Sequence, residues 1–126
     1  YERQFNTRTA QNIDIVSQFE ALLKKYYTEG KFEQQGLPSI DYFTEAIHFS
    51  PHYLSDLLKK ETGLSTKDHI NYFVIEKAKL LLLSTPDSIS GIAYQLGFNY
   101  PHYFSRLFKS KTGLSPNEYR NKASLN

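Results

Sequence analysis

The stretch PHYLSDLLKKETGLS at residues 51–65 recurs as PHYFSRLFKSKTGLS at residues 101–115. About ten of the twenty positions from Pro51 onward are identical in the two copies, far more than chance allows in segments this short, so the chain carries an internal repeat. Upstream, residues 39–49 match 88–98 at an offset one smaller, which places one extra residue of the second copy within Asn99 and Tyr100. The repeated object reads as a helix, a tight turn and a second helix.

The helix boundaries are signalled chemically. Ser39, Ser50, Ser65, Ser88 and Ser115 each stand where a hydroxyl can accept a bond from an otherwise orphaned first-turn amide. Pro51 and Pro116 follow at the first helical position, where a missing N–H costs nothing. Ser115 with Glu118 forms a capping-box pattern, and Gly63 and Gly113 sit where helix ends favour a left-handed residue. Outward from the repeat, Val16, Phe19, Leu22, Leu23, Tyr26 and Tyr27 recur at steps of three and four, which marks an amphipathic helix ending before Gly30. Residues 30–38, with two glycines, read as a loop. The expected helices are 13–28, 40–47, 51–61, 66–83, 89–96, 101–111 and 116–122, with no competing strand pattern. The fold class is therefore all-α: seven helices forming two helix-turn-helix subdomains, at 39–62 and 88–112, joined by a long linker helix over 66–83. Residues 1–12 are polar and aperiodic, as expected of a linker from an N-terminal domain absent here; residues 13–122 are the domain and 123–126 a tail.

In the second helix of each copy, Tyr53, Leu54, Leu57 and Leu58, and likewise Tyr103, Phe104, Leu107 and Phe108, form one stripe expected to face the core. The opposite face carries His52, Ser55, Asp56 and Lys59 in copy one, and His102, Ser105, Arg106 and Lys109 in copy two. These also step by three, four and seven and project together. A polar helix face is ordinarily solvated surface. A polar face that recurs with a matched core stripe and a matched turn points instead to docking in a major groove, N-terminal residues toward base edges and later ones toward phosphate. Arg106 is the sharpest candidate, because its fork can bond guanine at two acceptors. The middle helix, some 18 residues at about 1.5 Å each, spans roughly 27 Å, near one DNA turn of about 34 Å. Its apolar residues Ile70, Phe73, Val74, Ala78, Leu81 and Leu82 read as core.

Composition bounds the alternatives. A chain of 126 residues suits one helical folding unit, and 40% apolar with 15% aromatic content supplies its core. No apolar run approaches the roughly 20 residues of a membrane span. With no cysteine there is no disulfide, thiol nucleophile or thiolate metal site. Methionine is absent too, even at position 1, as expected of a piece of a longer protein. Net charge is only +2, but residues 99–126 hold five basic groups against one acidic, so the positive end is C-terminal.

The segments IAYQLGF (92–98), YFSRLFK (103–109), GLSP (113–116) and Tyr119-Arg120 resemble the C-terminal signature of the AraC-type bacterial transcription regulators. The resemblance covers about residues 13–122. It implies sequence-specific binding of double-stranded DNA for transcription regulation, two recognition helices entering successive major grooves. Carried over position by position, base reading falls on Pro51, His52, Ser55 and Asp56 and on Pro101, His102, Ser105 and Arg106. Ser50, Asn99 and Tyr100 would by similarity meet backbone or base edges, and Ser65 and Ser115 would offer hydroxyls and amides to phosphates. Lys59 and Lys109, with Pro51 and Pro101 at the helix starts, complete the expected backbone contacts. The resemblance further implies RNA polymerase as a partner, an effector ligand only through an N-terminal domain not in this chain, and a cytoplasmic, nucleoid-associated location.

Three residues depart from the family pattern. Asp56 stands where a basic or amide side chain is common, so it would accept a cytosine amino group, pair internally or contact little. His48 takes the turn position of Gly97, where positive φ is expected. Val74 replaces an arginine usual in the linking helix.

An enzyme is a poor reading: there is no phosphate-cradling glycine loop, HExxH motif, nucleophile elbow or carboxylate pair placed for acid–base work. No cofactor or metal is expected, since Pro51 and the turn break the alignment of His48 with His52. The rival is a helical protein-interaction module with little specific DNA binding, which near-neutral charge and Asp56 favour.

Overall fold

The computed structural model describes the backbone of residues 2–124 and the side chains of residues 10–123. Among these, every regular element is a helix: α1 (Glu2–Thr28), α2 (Lys31–Gln35), α3 (Ile40–Ile47), α4 (Pro51–Thr62), α5 (Thr66–Ser84), α6 (Ile89–Gln95), α7 (Pro101–Thr112) and α8 (Pro116–Ser124). The all-helical expectation holds, with two differences. Helix α1 begins at Glu2, well before the apolar periodicity starts, and a single turn, α2, stands where a plain loop was expected.

The serine signals operate locally. Ser50 Oγ accepts from the Tyr53 amide at 3.1 Å, Ser65 Oγ from Asp68 at 3.2 Å and Ser88 Oγ from Gly91 at 3.0 Å. Ser115 and Glu118 close the full capping box: Glu118 N donates to Ser115 Oγ at 3.1 Å and Ser115 N to Glu118 Oε1 at 2.8 Å. That amide, then the Ser115 side chain, holds the Glu118 carboxyl below its ordinary pKa. Ser39 occupies the same extended N-cap geometry but makes no side-chain cap bond. Gly63 and Gly113 end α4 and α7 at φ 82° and 84°.

The chain divides into two compact units. The first comprises the chain up to Glu29 together with Pro38–Ile70. Here α1, α3 and α4 pack on one another and bury Phe19, Leu23, Tyr26, Phe43, Ile47, Leu54, Leu57 and Leu58, each worth about 1.5–3 kcal/mol on burial for the Leu and Phe side chains. Phe19 meets Phe43 at 4.4 Å between ring centroids and forms a T-shaped pair with the His69 ring at 5.3 Å. His69 is buried, and its Nε2 lies 2.8 Å from Thr62 Oγ1. Because that hydroxyl donates to the Leu58 carbonyl, the imidazole serves it as an N–H donor. Desolvation lowers the His69 pKa, against the opposing pull of Glu20 and Asp68.

The second unit comprises Gly30–Leu37 and the chain from Asn71. Its core is Phe32, Val74, Ile75, Ala78, Leu82, Ile92, Ala93, Leu96, Phe104 and Phe108. Val74 is wholly buried, so the position that would hold an arginine by resemblance is here apolar core. α2 rests on α6 through the turn at Gly97. Gly97 has φ 92°, and a Cβ there would lie 2.9 Å from the Gly36 carbonyl carbon and 3.0 Å from both Leu37 N and Phe32 O. A side chain is thus barred twice, by dihedral and by backbone contact. Arg120 of α8 donates from Nε to Leu82 O at 2.9 Å and from its terminal nitrogen to Thr85 O at 3.1 Å, satisfying carbonyls at the end of α5.

Candidate nucleic-acid interface

Each copy of the repeat sets a short helix, a turn and a second helix into its own unit. In the first, α3 gives way to α4 through His48, Phe49 and Ser50, and His48 adopts the left-handed conformation at φ 68°. In the second, α6 gives way to α7 through residues 96–100, with Gly97 in the matching left-handed position. The extra residue changes the helix start. Ser50 caps α4 with its hydroxyl, whereas Tyr100 stands at the N-cap of α7 with no side-chain cap bond.

The two second helices anchor themselves alike. Leu54, Leu57 and Leu58 of α4 are buried, as are Phe104 and Phe108 of α7, with Leu107 half-buried. Tyr53 and Tyr103 correct the expected stripe: they are 51% and 59% exposed. A residue one position before the central buried one lies about 100° around the helix, at the stripe's edge, and the phenol hydroxyl favours water there. In unit one Phe49 stacks on Tyr53 at 4.9 Å, and in unit two Tyr100 meets Tyr103 edge-on at 5.8 Å. Identity between the copies does not mark this: tyrosine is kept at both positions, but so is leucine at 57 and 107, which are buried and half-buried.

The expected base-reading residues are not equally free. His52, Asp56, His102 and Arg106 are exposed, and Ser55 and Ser105 half-buried. His52 Nε2 lies 3.2 Å from Asp56 Oδ2 across one turn of α4, so in the free chain the Asp56 carboxylate has a partner on its own helix. Ser55 Oγ is 3.0 Å from Thr66 Oγ1. The position equivalent to Thr66 is Pro116, which has no hydroxyl to offer Ser105. Among backbone candidates, Ser50, Pro51, Lys59, Asn99, Tyr100 and Lys109 are exposed, and Pro101, Ser65 and Ser115 half-buried. Ser50, Ser65 and Ser115 accept cap bonds, which leaves each hydroxyl proton free to donate. The Ser115 amide is already taken by Glu118. α4 carries two lysines against two carboxylates, and α7 one arginine and two lysines with no carboxylate.

A recurring polar helix on a buried stripe, entered through a left-handed turn, is the build of a helix-turn-helix DNA reader. The chain matches the family model described as a helix-turn-helix domain over residues 43–122, most of its length, and it belongs to the AraC-type DNA-binding family. It is similar to the C-terminal domain of AraT, a response regulator from Geobacillus stearothermophilus, at 33% identity and TM-score 0.73 over 86% of this chain and 84% of that one. It is also similar to the C-terminal domain of the two-component response regulator yesN from Fusobacterium nucleatum, at 33% identity and TM-score 0.68 over 80% of this chain and 96% of the other. The uncharacterized HTH-type transcriptional regulator YtdP of Bacillus subtilis is 31% identical over 60 residues, 48% of this chain, and the match spans only 8% of that protein. The domain is a DNA-binding domain of transcription regulation.

Proposed function

We propose that α3–α4 and α6–α7 act as two helix-turn-helix readers joined by α5, with α4 and α7 entering successive major grooves of one duplex, and that α7 supplies most of the sequence discrimination. The observation that carries this is the contrast between the helices: Asp56 on α4 is held by His52, whereas α7 presents exposed His102 and Arg106 with no carboxylate of its own. A carboxylate facing phosphates costs affinity, and an unpaired arginine is the commonest reader of guanine. In this reading His102, Ser105 and Arg106 meet base edges, and His52, Ser55 and Asp56 hold the equivalent positions on α4, where Asp56 stays paired with His52. Ser50, Pro51, Lys59, Ser65, Asn99, Tyr100, Pro101, Lys109 and Ser115 follow the backbone, the Ser115 contact running through its hydroxyl because its amide is occupied.

The domain works as the DNA-binding part of a longer bacterial regulator, in the cytoplasm, without catalysis. An effector or signal acts through another domain of that protein, and RNA polymerase is the partner addressed from the bound site. The two-groove reading is tested by selecting bound sequences from a random duplex pool and then inserting about five base pairs, half a turn, between the two half-sites. Binding should fall to the level of a single half-site. Unchanged affinity would mean that one unit alone engages DNA.

A further inference from the structure

The sequence pattern puts Tyr103 in the core, and its 59% exposure instead leaves a large ring outside the buried stripe of the helix proposed to read bases. Tyr103 precedes Arg106 by three positions, so the two side chains are neighbours along one row of α7, and Tyr100 continues that row toward the turn. Tyr100 and Tyr103 are 65% and 59% exposed and meet edge to face at 5.8 Å, and the His102 ring lies 6.0 Å from Tyr103. The ring thus has two aromatic neighbours, which narrows its rotamer freedom and lowers the entropy lost on docking. The feature exposed to a major groove by thymine, and by no other unmodified base, is an apolar C5-methyl group, and an aromatic face is the kind of surface that covers it.

We propose that Tyr103 is a specificity-determining residue whose ring covers the C5-methyl of a thymine next to the base pair read by Arg106. This rests on α7 entering a major groove as set out above. Tyr100 is a positioning residue: it touches the ring of Tyr103 and holds it against that methyl. Tyr53 is not equivalent. Its row, with Asp56 and Lys60, lines a shallow cleft of about 290 Å³ that Asn12 of α1 also borders.

The test replaces each thymine of a selected site, one at a time, by deoxyuridine, which deletes only the methyl, and measures Kd for the wild-type chain, Tyr103→Phe and Tyr103→Ala. Burial of one methyl predicts about a fourfold loss at one thymine beside the Arg106 base pair for the wild-type chain. The same loss is expected for Tyr103→Phe and none for Tyr103→Ala. Tyr100→Ala should shrink the loss without moving it to another thymine. A selected site with no thymine beside that pair would overturn the assignment. So would equal deoxyuridine costs in wild type and Tyr103→Ala, or discrimination that disappears in Tyr103→Phe, which would make the hydroxyl the contacting group. Failure to select any site would sink the DNA-reading proposal itself, whereas firm selection with no methyl effect at Tyr103 would sink this inference alone.

Discussion

His52 Nε2 and Asp56 Oδ2 stand 3.2 Å apart on the exposed face of α4, and their positions in the second copy are taken by His102 and Arg106. At the second of these positions an acid paired on its own helix in one copy is replaced by a cation in the other. Asp56→Asn should raise affinity for any duplex by roughly two- to fivefold at low salt, an effect that fades as salt screens the lost charge. Titration of wild type and variant on one site at two salt concentrations checks this. A tenfold loss at a single cytosine-containing step would instead make Asp56 a base acceptor.

Arg106→Ala should weaken binding to the selected site by about 1–3 kcal/mol, with little change on random duplex. Competition titrations with both DNAs measure the difference. Equal loss on both would reduce Arg106 to a phosphate contact.

Gly97 and His48 hold matching turn positions with opposite expectations. Gly97→Ala forces a Cβ against the backbone of 32–37 at positive φ and should cost about 2–4 kcal/mol. His48→Gly relieves a left-handed non-glycine residue at φ 68° and should leave stability unchanged or raise it by up to about 1 kcal/mol. Denaturant unfolding of both variants gives the comparison. A neutral Gly97→Ala would mean that the α2 turn does not bear on the second reader.

Much of the architecture was legible because its causes are local. A serine hydroxyl bonded to an amide three residues on, a glycine at a left-handed helix end and a leucine stripe at helical spacing all act within one or two turns. α2 was not legible, since five residues between glycines are too few to show a helical period, whatever their propensity. The turn has Phe32 buried in the second unit and the bare Gly97 backbone beside it. The tyrosines were misplaced because an aromatic ring beside a leucine stripe extends the pattern without revealing on which side of its edge the ring falls. The spacing of four between His52 and Asp56 was visible, but whether the two side chains meet depends on rotamers that a sequence does not carry.

Buried His69 gives the first unit a pH-dependent contribution to its stability. Burial lowers its pKa in the folded state, so the unfolded chain takes up a proton that the folded one resists. Stability should be level above the ordinary histidine value of about 6.5 and fall as pH drops below it, toward the lower folded value. Thermal melts between pH 7.5 and 5 should show this slope for the wild-type chain and a weaker one for His69→Phe, whatever the variant's absolute stability. Identical slopes would assign the response to other groups.

The reading of this chain as a specific DNA binder is met most directly by a salt titration of Kd on a selected duplex and on its scrambled counterpart. Specific recognition predicts that log Kd rises linearly with log salt on both, while the selected duplex keeps a preference of about a thousandfold or more near physiological salt. Binding that is weak, insensitive to salt and equal on the two duplexes would contradict it and return the helix-turn-helix pair to the role of a protein-interaction module.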